Sequence, residues 1–238
     1  MMEFNITESK KQTARLFSEY LSNLIAKNNI SHIALSGGST PKEVFKELAK
    51  HFKNEIDWSK VQFYWGDERC VPPDDKESNY KMTNEYLFSK IELPPGNIYR
   101  IKGENEPVVE AKRYADLLEK NLPKVGMQPQ FDLVVLGLGD DGHTASIFPN
   151  QMHLWNSKAY CEVAEHPLTG QKRVTLTGSI INSAKEVAFL VTGANKAEKV
   201  LEIIKRKGNY NTYPASLVKP NSGKLNWFLD AAAAKLIA

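Results

Sequence analysis

Cysteine and long apolar runs are both scarce in this sequence, and each shortage excludes a class of protein. The two cysteines, Cys70 and Cys161, form neither a C-x-x-C pair nor a zinc-ligand spacing, which fits a reducing compartment. No stretch approaches the ~18 apolar residues of a membrane span, and the N-terminus lacks the apolar core of a signal peptide. We therefore expect a cytoplasmic protein with no membrane partner.

Positive charge is also sparse. Lysine and arginine number 31 against 28 acidic residues, a net charge of +3, and no dense basic run is present. A nucleic-acid partner is therefore not expected, whereas a small anionic substrate would need only a local cluster of positive groups. The 238 residues suffice for one large α/β domain. Because no repeat or low-complexity segment divides them, we expect a single domain over residues 1–238.

The pattern of apolar residues predicts strands that alternate with helices. Helices are expected at 8–28, 41–50, 78–89, 107–121, 195–206 and 227–237. Strands are expected at 32–35, 61–65, 98–101, 131–136, 174–177 and 187–192. Such alternation predicts an α/β fold, a mostly parallel sheet with helices on both faces. Ligands of such sheets bind beyond the carboxyl ends of the strands, so the residues that follow each strand are the informative ones.

A glycine-rich segment follows the first predicted strand: Ser36, Gly37, Gly38, Ser39 and Thr40. Two glycines let the backbone approach an anion, and the free N–H groups of the following helix start attract one. Thr40 is expected to cap that helix, with Pro41 at its first position. A plain strand-to-helix turn explains the same residues equally well.

Three cations near other strand ends are further candidates for binding an anion. Arg69 closes the sequence G-D-E-R, and its guanidinium suits a phosphate because it can donate two parallel hydrogen bonds. Lys196 lies near a helix start, where a cation opposes the helix dipole unless an anion is bound. Arg173, before the strand at 174–177, is a weaker candidate. A surface salt bridge or a solvated side chain is the ordinary alternative.

Residues 137–142 read G-L-G-D-D-G and match the spacing of a dinucleotide-binding loop. Two carboxylates, Asp140 and Asp141, would repel a pyrophosphate, and Pro149 leaves no room for a long helix. A dinucleotide-dependent oxidoreductase is therefore a disfavoured alternative. His143 follows directly, and histidine can accept a proton near neutral pH. Asp141 is placed to orient that ring, so this loop predicts a general base.

Other mechanisms find little support in the sequence. The nucleophile motif G-x-S-x-G does not occur, which disfavours a covalent serine mechanism. No H-E-x-x-H motif or second histidine at ligand spacing supports a metal site. A histidine that activates water is the simpler scheme.

The ordered set of motifs resembles the 6-phosphogluconolactonase family from about residue 10 to 232. The motifs are LSGGSTP (35–41), WGDERCVPPDDKESNY (65–80), GLGDDGHTASIFP (137–149), RVTLT (173–177), VTGANKA (191–197) and GKLNWFLD (223–230). The resemblance implies hydrolysis of 6-phosphoglucono-δ-lactone to 6-phosphogluconate, the second step of the oxidative pentose phosphate pathway. It also implies no metal, no organic cofactor, and the modified doubly wound, Rossmann-like fold of glucosamine-6-phosphate deaminases.

The same resemblance implies a role for each matching residue. His143 matches the general base that deprotonates water, and Asp141 matches the acid that supports it. The substrate phosphate is expected to meet three cations and the glycine-rich turn: Arg69, Arg173, Lys196 and residues 36–40. Asp67 matches an acid of the family motif that holds either Arg69 or a sugar hydroxyl. The oxyanion donors are expected among the backbone N–H groups of residues 137–143.

Two rival functions remain from the sequence. Sugar-phosphate isomerases or deaminases of the related family continue D-G-H-I-A-F-N-E-P, with an acid five residues after the histidine; here that residue is Phe148, which cannot transfer protons. A sugar-phosphate sensor would usually carry an added DNA-binding segment, for which the predicted domain leaves no room. We expect a monomeric enzyme whose partner is a small phosphorylated sugar lactone.

Overall fold

The computed structural model describes residues 2–28 and 30–237. Within these residues the strands, numbered in chain order, are β1 (Met2–Thr7), β2 (Ser31–Leu35), β3 (Val61–Trp65), β4 (Asp67–Arg69), β5 (Lys124–Val125), β6 (Gln128–Pro129), β7 (Leu133–Leu136), β8 (Cys161–Glu165), β9 (Lys172–Leu176), β10 (Glu186–Val191) and β11 (Leu225–Asp230). The α-helices are α1 (Lys10–Lys27), α2 (Ser39–Glu47), α3 (Asn79–Tyr86), α4 (Pro107–Asn121), α5 (Gly178–Ser183), α6 (Ala197–Lys205) and α7 (Ala231–Ala234).

Six strands form one parallel sheet in the order β1-β11-β10-β7-β2-β3. Helices flank this sheet, so the predicted α/β fold with a mostly parallel sheet is confirmed. After β2 the chain moves outward to β3, whereas β10 and β11 are added on the other side of β7. The order therefore reverses between β2 and β7, and a crevice at such a reversal is where doubly wound sheets bind ligands.

Five of the six predicted helices are present, with shifts at their ends. Helix α4 spans the predicted range, whereas α2 starts one residue before Thr40 and continues into a π-helical turn at Leu48–Phe52. The residue before α2 is Gly38, with φ of 106°, so the prediction that Thr40 caps this helix is wrong. No helix in residues 2–28 and 30–237 is both long and apolar enough to cross a membrane.

Two predicted elements are wrong: the helix at 227–237 and the strand at 98–101. The expected helix over 227–237 is instead strand β11 followed by the four residues of α7. Every residue of β11 is buried between β1 and β10, and a strand covered on both faces shows no alternation that separates it from a buried helix. The expected strand at 98–101 is reduced to one isolated bridge, between Ile98 and Phe63.

A second, three-stranded sheet in the order β4-β9-β8 was not predicted. Its strands are antiparallel, and Asp67, Glu68 and Arg69 lie opposite Thr175, Val174 and Arg173. Strand β4 has only three residues and begins one residue after β3. The turn at Gly66 therefore transfers the chain from the main sheet to this small sheet, which delivers residues to the edge of the crevice.

Candidate active site

A cavity of about 290 Å³ opens at the carboxyl ends of β2 and β7, where the strand order reverses. Eight residues that the sequence singled out line it: Ser36, Gly37, Gly38, Asp67, Arg69, His143, Arg173 and Lys196. Among the predicted residues, Ser39, Thr40 and Asp141 do not line this cavity. The crevice therefore brings together cations, a histidine and a glycine-rich turn from widely separated parts of the chain.

His143 and Asp141 form a close pair within the loop after β7. Asp141 Oδ1 lies 2.6 Å from His143 Nδ1 and accepts a second hydrogen bond from the His143 backbone N–H at 3.0 Å. Burial alone would raise the pKa of Asp141, but the hydrogen bonds and charge of His143 outweigh burial and lower this pKa to about 2. Asp141 is therefore a carboxylate at neutral pH.

This pairing fixes the tautomer of the imidazole. A carboxylate can only accept hydrogen bonds, so the proton of a neutral His143 ring belongs on Nδ1. Nε2 then carries the free lone pair, and within the described ranges no hydrogen bond occupies it. A histidine that lines a cavity with an available Nε2 can take a proton from a bound water or hydroxyl.

The glycines of this loop make room for the pair. A Cβ on Gly139 would overlap the His143 ring and the Asp141 carboxylate, whereas a Cβ on Gly137 would meet only Ser36 Oγ, at 3.8 Å. Gly142 has a φ of 87°, a backbone region that favours glycine. Two glycines of the G-x-G-x-x-G spacing, Gly139 and Gly142, thus serve the loop that carries the histidine.

Arg69 and Arg173 lie directly opposite each other on the paired strands β4 and β9. Like charges in this arrangement repel, and neither guanidinium forms an ion pair within residues 2–28 and 30–237. Arg69 Nη1 donates to the Glu77 carbonyl oxygen, while Nε of each arginine is buried without a hydrogen-bond partner. Burial lowers the pKa of Arg173, and the nearby Asp67 only partly opposes this. Two cations that face one cavity and form no direct ion pair among the described residues favour an anionic ligand.

Asp67 is linked to Arg173 through a buried serine. Ser146 Oγ donates to Asp67 Oδ2 at 2.6 Å and accepts from Arg173 Nη1 at 3.3 Å. The Ser146 backbone N–H donates to Thr175 Oγ1. Among the described residues Asp67 forms no ion pair with Arg69 and instead reaches Arg173 through Ser146; because Asp67 also lines the cavity, its contact with a sugar hydroxyl stays a prediction.

Glu68 holds the neighbouring Arg69 in place. Its buried carboxylate accepts hydrogen bonds from the backbone N–H groups of Arg69, Asn79 and Tyr80, and from Ser78 Oγ. Burial raises the pKa of Glu68, and the three N–H donors oppose that shift. Glu68 thereby ties β4 to the start of α3, which also brings Asn79 to the cavity wall.

Lys196 reaches the cavity but is already paired. Its Nζ lies 2.6 Å from Asp140 Oδ1, which also accepts from Asn195 Nδ2 at 2.8 Å. This pairing lowers the pKa of Asp140, a carboxylate that is mostly exposed. Thr40, by contrast, is buried and shares a hydrogen bond with Thr192, away from the cavity lining.

Phe148 lies behind the histidine. Its ring is buried, with its centroid 4.7 Å from that of His143 and 5.7 Å from Arg173 Cζ. His166 packs on the same ring, at 5.2 Å. The position at which the related deaminases are expected to carry an acid is thus in contact with the imidazole, and here it is apolar.

Sequence reasoning missed three residues that shape this site: Ser146, Glu68 and Asn79. Each lies within one of the family motifs, but a single serine, glutamate or asparagine gives no sequence pattern that identifies its partner. Their roles depend on contacts between β4, α3 and the loop after β7, which only the fold defines. Ala145, beside Ser146, lines the cavity with a φ of 48°, and such strained non-glycine backbone clusters at functional sites.

The chain is similar to known proteins in both sequence and fold. The profile of the family described as glucosamine-6-phosphate isomerases/6-phosphogluconolactonase matches residues 5–227. A 6-phosphogluconolactonase of Haemophilus influenzae is 44% identical over 211 residues, which cover 88% of this chain and 89% of that protein. The crystal structure of devB protein covers both chains completely, with a TM-score of 0.95 and 43% identity. A monomeric glucosamine-6-phosphate deaminase shares the fold, with a TM-score of 0.84 at 20% identity over 99% of this chain and 100% of that one.

Proposed function

Because the chain belongs to the glucosamine-6-phosphate isomerase/6-phosphogluconolactonase family, we propose that it hydrolyses 6-phosphoglucono-δ-lactone to 6-phosphogluconate. The observation that carries the proposal is that one cavity joins a histidine with an available Nε2 to two opposed arginines that form no direct ion pair among the described residues. A phosphorylated lactone needs both groups, one for its phosphate and one for its carbonyl carbon.

The phosphate is expected to bind between the guanidiniums of Arg69 and Arg173. Both arginines line the cavity, and each charge-assisted hydrogen bond from a guanidinium to a phosphate oxygen is stronger than a neutral one. The phosphate also relieves the repulsion between two opposed cations. The turn at Ser36–Gly38 lies in the same cavity wall, and Lys196 would contribute once the phosphate competes with Asp140.

His143 would carry the chemistry at the other end of the substrate. Nε2 takes a proton from water as the water oxygen attacks C1 of the lactone, forming a tetrahedral intermediate. The resulting imidazolium is stabilised by Asp141 and returns its proton to the ring oxygen as the C1–O bond breaks. The product is the open-chain acid, which ionises to 6-phosphogluconate.

Hydrogen bonds within the loop after β7 reduce the number of N–H groups that could act as the predicted oxyanion donors. The N–H groups of Gly139, Gly142 and His143 donate to the His143 carbonyl, the Gly139 carbonyl and the Asp141 carboxylate respectively. These three groups are therefore not available to the developing negative charge on the lactone oxygen.

Cellular setting and oligomeric state complete the proposal. Both cysteines are unpaired thiols, which supports a reducing, cytoplasmic location. We propose that the chain forms a single domain and acts as a monomer. Sedimentation at micromolar concentration is expected to give the mass of one 26.8 kDa chain, and a stable dimer would contradict this part of the proposal.

The first test compares two substrates of the family. Purified protein is expected to accelerate ring opening of 6-phosphoglucono-δ-lactone above the spontaneous rate, measured at fixed pH. It is expected to release no ammonia from glucosamine 6-phosphate, because Phe148 replaces the acid required for ring opening and proton transfer. Ammonia release at a rate equal to or above lactone opening would contradict the proposal and support the deaminase alternative.

Adding a methyl group at Gly139 tests whether this glycine makes room for the histidine. Gly139→Ala is expected to lower kcat by about 10²-fold, because a displaced catalytic group can cost that much and the added methyl would overlap His143. Gly96→Ala, outside the cavity lining, is the matched control and is expected to retain kcat, since nothing lies within 4 Å of its added Cβ. Equal kcat for the two variants, from lactone assays at fixed pH, would show that Gly139 does not serve the histidine.

A further inference from the structure

We propose that Tyr213 is a positioning residue that holds the His143 loop from behind; this inference rests on the proposed function. Tyr213 is buried and does not line the active-site cavity. It belongs to the segment between α6 and β11, which neither the sequence motifs nor the mechanism above has used. Its contacts with Gly142, the residue before His143, carry the inference.

The Tyr213 ring packs against the backbone of Gly142. A Cβ built on Gly142 would lie 2.5 Å from Tyr213 Cγ, so only a glycine permits this approach. Two residues further on, the Ala215 backbone N–H donates to the Gly142 carbonyl oxygen at 3.2 Å. The loop is thus held by a ring on one side and by a backbone hydrogen bond, both supplied by residues 213–215.

The tyrosine itself is anchored to α6. Its hydroxyl donates to Glu202 Oε2 at 2.8 Å and accepts from Lys199 Nζ at 2.7 Å. Lys199 also pairs with Glu202 and lies over the tyrosine ring, 4.4 Å from its centroid. Because both ends of the side chain are engaged, the ring has little freedom to withdraw from Gly142.

Holding the Gly142 backbone in place sets the direction in which the His143 side chain projects from the loop. Gly142 has a left-handed φ, which glycine adopts without strain, so the contacts around Gly142 and not its own side chain decide the course of the backbone there. On the front of the loop Asp141 orients the imidazole; on the back, Tyr213 and Ala215 fix the backbone. Loss of the rear support is therefore expected to misplace Nε2 and to leave the phosphate-binding arginines unchanged.

The experiment uses three variants of the full chain. Tyr213→Leu removes the ring, Tyr213→Phe keeps the ring and removes the hydroxyl, and Tyr99→Leu makes the same leucine substitution at a tyrosine that stacks on Tyr64. For each we would measure kcat and KM for the lactone, the thermal midpoint, and the ¹⁵N shifts of the His143 ring, assigned by comparison with His143→Gln.

Tyr213→Leu is expected to lower kcat about 10- to 100-fold with KM within about threefold, and to shift the His143 ring signals. Tyr213→Phe is expected to recover most of kcat, while Tyr99→Leu lowers the thermal midpoint with kcat and ring signals kept. Wild-type kcat and ring signals in Tyr213→Leu would overturn the inference, as would equal losses in Tyr213→Leu and Tyr99→Leu. If wild-type protein opens no lactone, the proposed function fails, and the ring signals alone still decide the role of Tyr213.

Discussion

Replacing His143 with glutamine is expected to lower kcat for the phosphorylated lactone by about 10²- to 10⁴-fold, the usual contribution of a general base. KM is expected to stay within about twofold, because an interaction made only in the transition state changes kcat. Glutamine keeps a polar side chain of similar reach but cannot hold the proton taken from water. Initial rates at fixed pH, after subtraction of spontaneous opening, give both constants.

Two further variants separate this role from a structural one. Asp141→Asn is expected to reduce kcat substantially as well, because an amide can donate to Nδ1 and thereby favour the tautomer with its proton on Nε2. His166→Gln is the control, since His166 packs on the same Phe148 ring without lining the cavity. Rates in His143→Gln within about threefold of wild type would contradict the general-base assignment.

Replacing either opposed arginine is expected to weaken binding of the phosphorylated lactone. Arg69→Gln and Arg173→Gln should each raise KM about 10- to 100-fold, because a charge-assisted hydrogen bond contributes about 1.5–3 kcal/mol. In the double variant, KM is expected to rise by less than the product of the two single increases, since both cations contact one phosphate. Inhibition by inorganic phosphate should weaken in parallel.

Stability provides an independent signature of the arginine pair. Because Arg69 and Arg173 repel each other across β4 and β9, the thermal midpoint is expected to stay level or rise in Arg173→Gln. Arg15→Gln, which removes an exposed cation paired with Glu19 on α1, is expected to change neither KM nor phosphate inhibition. If Arg173→Gln unfolds at a lower temperature with KM unchanged, the arginine serves the fold and not the substrate.

The sequence could predict those parts of the site that lie close together along the chain. Asp141 and His143 are two residues apart in a loop after a buried strand, so their pairing followed from spacing. The opposed arginines did not, because their proximity depends on the antiparallel pairing of β4 with β9. A three-residue strand such as β4 is too short to show a periodic pattern.

Contacts between distant parts of the chain also explain where partners and elements differ from the prediction. Asp67 is connected to Arg173 through Ser146, a residue from another loop whose proximity the sequence does not reveal. Lys196 was predicted from its helix start, yet the partner that it meets in the structure is Asp140. Strand β11 was read as helix because burial on both faces removed the alternation that marks a strand. Tertiary pairing, not local propensity, decided each case.

Selectivity for the phosphate tests the central claim most directly, namely that one cavity joins a phosphate site to a histidine base. The measurement is the ratio of kcat/KM for 6-phosphoglucono-δ-lactone to that for unphosphorylated glucono-δ-lactone, at one pH and ionic strength. Wild-type protein is expected to prefer the phosphorylated lactone by about 10²-fold or more, since two arginines each contribute charge-assisted hydrogen bonds. The ratio should collapse in the double arginine variant. A wild-type ratio near one would contradict the account.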